Sequence, residues 1–215
     1  MKITALLKAT ALAAALCAPQ LRAGIVIADN LNQDFAASVE LDPTTFWAAQ
    51  SFFSGSYGAL AAVHLNLYSD TEGQYNVELW NASGAGGRPG SMVAVLAGGL
   101  SNPITDNEDN VVSITGLNVP ITKLRHYYIV VKPLSGSIHW GYTESTSGTG
   151  FPSRFSYYDV GGGNWSEPSL SDPQRMMVEA VPEASTWLAG AFAGLALAGG
   201  WARRKWQARQ ARSLN

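Results

Sequence analysis

The sequence is poor in cysteine, histidine and charge, and each shortage excludes some chemistry. Cys17 is the single cysteine in 215 residues. It lies in an N-terminal stretch expected to be removed after Ala23, so the mature chain has none. Disulfides, thiol catalysis and cysteine-ligated zinc are thereby excluded from that mature chain. The three histidines, His64, His126 and His139, are scattered. They form neither a His-Glu-x-x-His element nor a close pair for zinc. There is no Gly-x-Ser-x-Gly elbow; the nearest string, Gly55-Ser56-Tyr57-Gly58, has the wrong spacing. Charged residues make up 14% of the chain against 47% hydrophobic, and the formal net charge is −2. This is neither a disordered polyelectrolyte nor the basic field of a nucleic-acid binder. The expectation is a protein that is not an enzyme, needs no cofactor and takes no nucleic-acid partner.

The charge that is present is segregated. Residues 1–23 carry Lys2, Lys8 and Arg22 and no acid. Residues 24–180 carry six bases against fifteen acids, a net of −9. Residues 181–215 carry Glu183 against Arg203, Arg204, Lys205, Arg209 and Arg212. An acidic middle thus stands between two basic, apolar ends.

The first end reads as a secretory signal peptide, residues 1–23. Lys2 and Lys8 supply the positive start, Ala9 to Ala18 the short apolar stretch, and Leu21-Arg22-Ala23 a small-residue cleavage site. An amphipathic helix is the alternative, but the stretch is Ala/Leu on all sides and has no polar face. The Sec translocon and signal peptidase are the partners this predicts.

At the other end, Trp187 to Trp201 is an uncharged apolar run followed at once by Arg203-Arg204-Lys205. Aromatic edges and a basic cytoplasmic flank suit a membrane segment over 187–202, with a basic tail over 203–215. Fifteen helical residues span roughly 22 Å against a hydrocarbon core of ~30 Å, a mismatch that thinning or snorkelling absorbs. Just before it stands Val181-Pro182-Glu183-Ala184-Ser185-Thr186. Residues 181–215 therefore resemble the PEP-CTERM sorting signal of Gram-negative bacteria. Ala184 replaces the second proline of the usual Pro-Glu-Pro element. The resemblance implies an exosortase as partner, removal of the tail, and passage from the inner membrane to the cell surface or matrix. Other removed C-terminal anchors follow the same logic.

The middle, residues 24–180, shows no sustained helical period. In Gln74–Trp80, Tyr75, Val77 and Leu79 alternate with Asn76, Glu78 and Trp80. In Ala61–Tyr68, Val63, Leu65 and Leu67 alternate with His64, Asn66 and Tyr68. Both predict half-buried strands. Tyr127–Val131 is continuous and rich in β-branched residues, as a central strand is, and Lys132 to Ser137 reads as the turn to Ile138–Tyr142. Further runs are Ile25–Ala28, Ala49–Phe53, Met92–Leu96, Asn110–Thr115, Arg154–Tyr158 and Arg175–Ala180. About ten short strands between Gly/Pro/Ser/Asn turns predict an all-β protein, an antiparallel β-sandwich of jelly-roll type. The terminal helices would flank it. A core for it fits in 157 residues without disulfides.

A second resemblance covers most of 24–180. Its residues are Phe46-Trp47-Ala48-Ala49-Gln50-Ser51-Phe52, a strand with Val63, Leu65 and Leu67, Val77-Glu78-Leu79-Trp80, Gly87-Arg88-Pro89-Gly90, Tyr127-Tyr128-Ile129-Val130, His139-Trp140-Gly141-Tyr142 and the closing strand Gln174–Glu179. They are similar to the choice-of-anchor R domain of bacterial surface proteins. That resemblance implies a surface setting and brings no catalytic residues.

Two candidate sites remain. Aromatic faces stack on sugar rings. Trp165 lies in a polar, Gly-rich loop with Tyr157 and Tyr158 near in sequence, so these three form the candidate glycan platform, with Trp80 as second choice. Trp47 and Trp140 sit in apolar strand contexts and are expected in the core. Asp106, Glu108 and Asp109 gather hard oxygen ligands for Ca²⁺, but the loop lacks the Gly and Glu of an EF-hand. A solvated acidic loop is the favoured reading. A glycosidase would need two facing carboxylates, which sequence alone does not pair. The expected function is a non-enzymatic exported surface or matrix protein associated with exopolysaccharide. The alternatives are a carbohydrate-binding module and a secreted glycan-active enzyme.

Overall fold

The computed structural model describes residues 24–151 and 154–182. The signal segment, the apolar run 187–202 and the sorting residues Glu183, Ala184, Ser185, Thr186, Arg203, Arg204 and Lys205 lie outside the described residues. Among the described residues, no helix is long and apolar enough to cross a membrane.

The described chain is all-β apart from a short 3-10 turn at Ala85–Gly87. Its first strands are β1 (Ile25–Asp29), β2 (Ala37–Leu41), β3 (Phe46–Phe53) and β4 (Ala59–Tyr68). Then come β5 (Gln74–Asn81), β6 (Met92–Ser101), β7 (Val111–Ile114) and β8 (Val119–Pro120). The last are β9 (His126–Ser135), β10 (Ile138–Tyr142), β11 (Phe155–Asp159), β12 (Asn164–Trp165) and β13 (Met176–Val181). They form two antiparallel sheets. The first is ordered β1-β13-β4-β10-β2, with β7 and β8 also paired to β4; the second is ordered β12-β11-β3-β9-β5-β6.

Period-two alternation sends one parity of each strand into a core that both sheets share, as in a β-sandwich. Val63, Leu65 and Leu67 of β4 meet Tyr75, Val77 and Leu79 of β5 and Ile129 and Val131 of β9 there. Trp140 of β10 is fully buried in the same core, and its indole N–H donates to the Arg175 carbonyl at 3.1 Å. β9 is central in the second sheet, between β3 and β5.

Several boundaries differ from the sequence expectation: β3 begins at Phe46 rather than Ala49, and β6 runs to Ser101 rather than Leu96. Lys132 to Ser135 continue β9, and the turn shrinks to Gly136 and Ser137. Pro133 is tolerated because the β5–β9 register shifts beside its partner Tyr75. The turn needs Gly136: its φ is +65°, and a Cβ there would lie 2.2 Å from the Glu72 carbonyl oxygen. At the far end, Val181, read from the sequence as the first residue of the 181–215 segment, belongs to β13, where it pairs with Ala59.

β4 pairs with β13 as far as Leu65 and with β10 from Leu67. Arg175 fills the changeover. Its guanidinium donates to Asp109 Oδ1 at 2.7 Å, Asn66 Oδ1 at 3.3 Å and the Leu31 carbonyl at 2.6 Å. It is 7% exposed, a buried cation held by a carboxylate and two further oxygens.

Candidate functional site on the outer face of the second sheet

Residues of the opposite parity in the second sheet point away from the core. On most sheets that face would be polar; here it is aromatic. Trp47 of β3 stacks on Tyr158 of β11, with ring centroids 4.5 Å apart and planes 19° apart. Lys132 Nζ lies 4.3 Å from the Trp47 ring centroid, a cation–π contact. Trp165 of β12 meets Tyr158 edge-on at 5.1 Å and Trp80 of β5 at 5.8 Å. The indole fits because Ala49 of β3 is small; it packs there against Ala49, Val130 and Tyr128. Trp80 is fixed in turn by its N–H to Glu78 Oε2, 2.9 Å away. Trp47, Trp80 and Tyr158 remain half-buried, whereas Trp165 is 9% exposed.

Beside this cluster, and sharing Tyr128 and Ala82 with it, opens a cleft of about 620 Å³. That volume lies within the range of small-molecule sites. Its walls come from two loops. One holds Thr122, Leu124 and Arg125, clamped by the buried Ser54: Ser54 Oγ donates to the Thr122 carbonyl at 2.8 Å and accepts from Arg125 N at 3.0 Å. The other carries Gly87, whose carbonyl accepts from the Tyr128 hydroxyl at 2.8 Å. Arg154 completes the rim, its backbone N–H bonded to Ser51 Oγ at 2.8 Å. The lining holds Arg125, Arg154 and His126 and no carboxylate. Burial, with the Arg154 charge second, holds His126 below the ordinary histidine value. His126 therefore stays mostly neutral at pH 7.

No family model and no curated protein matches the chain. A solved structure of infectious bursal disease virus Gx strain gives a TM-score of 0.22 at 8% identity. The match covers 79% of this chain and 40% of that one. A likeness that faint says nothing about this chain's fold or function.

The structure brings together two of the three platform residues read from the sequence. Trp165 and Tyr158 touch, but Tyr157 points to the other side of β11 and packs against the shared core. Neighbouring residues of a strand face opposite ways, so Tyr157 and Tyr158 cannot serve one surface. Trp47, expected in the core, lies instead on the outer face. Phe46–Phe53 is apolar at both parities, so alternation could not say which side faces in; Ala48 and Phe52 do. In the acidic loop, the Asp109 carboxylate is taken by Arg175, while Asp106 and Glu108 are exposed. Among the described residues, no group of three or more His, Cys, Asp or Glu gathers to hold a metal ion.

One constellation was not visible in the sequence. On the outer face of the first sheet, His64 Nδ1 and Ser113 Oγ are 2.8 Å apart, and Glu179 Oε1 is 3.6 Å from His64 Nε2. The register brings them together: His64 pairs with Ser113 across β4 and β7, and Glu179 lies on β13 at β4's other side. Their separation of about fifty and more than a hundred residues hid the group from any motif search.

Proposed function

We propose that this chain is an exported, non-enzymatic surface or matrix protein whose β-sandwich binds extracellular polysaccharide. The observation that carries the reading is the aromatic outer face of the second sheet. Sugar rings present flat, apolar C–H faces, and Trp47, Trp80 and Tyr158 offer matching rings at the surface. Tryptophan and tyrosine supply such contact area at little conformational cost. In this reading the platform is Trp47, Trp80 and Tyr158. Trp165 supports it from below, and Tyr157 takes no part.

Export belongs to the same proposal. Residues 1–23 direct the chain to the Sec translocon and signal peptidase, and 181–215 act as a PEP-CTERM signal that an exosortase removes. The domain is of choice-of-anchor R type. Its jelly-roll connectivity is supported by the insertion of the last strand, β13, between β1 and β4. Two measurements test the proposal. Intact mass of the protein from the host's surface and medium should give a chain starting near Gly24 and ending near residues 181–187. Titration with the host's own polysaccharide should show binding that Trp47→Ala weakens at least tenfold; undiminished binding would refute the platform.

A secreted glycan-active enzyme is the second reading, favoured by the Ser113–His64–Glu179 contacts. A serine within reach of a histidine that is itself near a carboxylate is the arrangement of a nucleophile, base and orienting group. Labelling by a fluorophosphonate, lost in Ser113→Ala, together with shortened or de-esterified polysaccharide, would establish it. An unlabelled serine would remove it.

A further inference from the structure

We propose that the cleft beside the aromatic face recognises the carboxylate groups of an acidic, uronate-type polysaccharide. This rests on the reading of the outer face as a glycan platform and specifies its ligand. The first observation is where the positive charge goes. Residues 24–180 hold six bases, of which Lys123 has an interaction of its own. Arg175 is spent on Asp109, Arg88 on Glu167 and Lys132 on the Trp47 ring. Arg125 and Arg154 both line the cleft and make no ion pair among the described residues. In a domain of net charge −9, two guanidiniums in one concavity without a carboxylate form a local positive spot.

The second observation is that the spot is built. Arg125 follows Leu124, which has a φ of +56°. That region is costly for a branched side chain, and such strain persists only where surrounding contacts hold it. The Ser54 clamp and the bond from Leu124 N to the Gly55 carbonyl, 2.7 Å, supply them. Across the cleft, Gly87 has a φ of +82°, which favours glycine, and it lies within van der Waals reach of the Arg154 side chain.

Chemistry selects the ligand. A guanidinium fork matches a planar carboxylate in two parallel hydrogen bonds. The adjoining rings select a chain of sugars rather than a free acid. A nucleic acid would need a continuous basic track, which an acidic domain with one basic cleft does not offer.

The test uses the purified full chain and three probes: polygalacturonate, its fully methyl-esterified form and dextran. Polygalacturonate should bind at least tenfold more tightly than its ester, and the difference should shrink as salt rises. Arg125→Gln with Arg154→Gln should abolish that preference, leaving ester binding and the thermal melt unchanged. Arg125→Lys with Arg154→Lys keeps the charge without the fork and should retain only part of it. Equal affinity for acid and ester, or a preference surviving both substitutions, would overturn the proposal while leaving the glycan platform standing. Binding of none of the three probes would overturn both. Tighter binding to single-stranded DNA or to anionic phosphatidylglycerol vesicles than to polygalacturonate would also overturn it.

Discussion

The two sheets share one core but differ sharply on their outer faces. On the first sheet, β4 presents His64 and Asn66, which end in hydrogen bonds to Ser113 and to the carbonyls of Glu108 and Asn110. On the second, β3, β5, β11 and β12 present Trp47, Trp80, Tyr158 and Trp165. Alternation along the strands is the same in both. The difference lies in what fills the outward positions, so the fold and the proposed binding face are written in opposite parities of the same strands. Folding needs only that outward residues tolerate water; a second, half-buried aromatic layer exceeds that need.

The strongest way to break the comparison is to damage the core that both faces rest on. Trp140→Ala should cost about 3–5 kcal/mol, as large aromatic-to-alanine changes in cores do. Denaturant unfolding would show the loss, and binding at the outer face should fall with it. Trp165→Ala should cost about 2 kcal/mol, because a largely buried indole loses its contacts with Ala49, Val130 and Tyr128. Neighbouring Trp80 should then become more accessible to acrylamide quenching.

Tyr157 and Tyr158 sharpen the contrast within one strand. Burial pushes the Tyr157 hydroxyl up to about 12 from 10.0. Folding therefore favours its neutral form. The stabilisation is complete below pH 10 and is lost as pH rises through 10 to 12. Melting temperature should fall across that window, and less steeply in Tyr157→Phe. Tyr75, raised to about 12 by the same cause, adds a fall in the same window that the variant keeps. The smallest effect is expected on the first sheet's outer face. Ser113→Ala removes one cross-strand contact and should cost less than about 1 kcal/mol in chemical denaturation.

Most of the scaffold was legible because its signal is local. The alternation in Gln74–Trp80 and Ala61–Tyr68 needs no knowledge of partners, and β5 and β4 run where it places them. β2 is legible in hindsight, since Ala37, Val39 and Leu41 alternate with Ser38 and Glu40, but five residues on an edge strand give only a brief signal. β12 escaped because two residues carry no period. The site was less legible. The sequence marks Trp165, and Trp80 as second choice, as candidates to stack on sugar, but their contact joins residues 85 positions apart. The cleft joins residues 51 to 154. Only strand order and register could have shown that Arg125 and Arg154 share a rim.

The place of β13 has a consequence for how the chain reaches this state. It lies between β1 and β4, so Ile25 finds its neighbour only in Ala180. Apart from the bridge between Asp29 and Thr149, the opening strand of the domain has no strand to join until the closing strand is present. Pairings this distant in sequence are slow to form, because chain closure must precede any reward. A chain cut short before Met176 should stay open and unable to protect its core. The same adjacency offers an experiment in connectivity. Joining residue 24 to residue 182 by a short linker, and opening new ends within Gly161–Gly163, should leave both faces intact. It would also replace the slowest closure with one a few residues long.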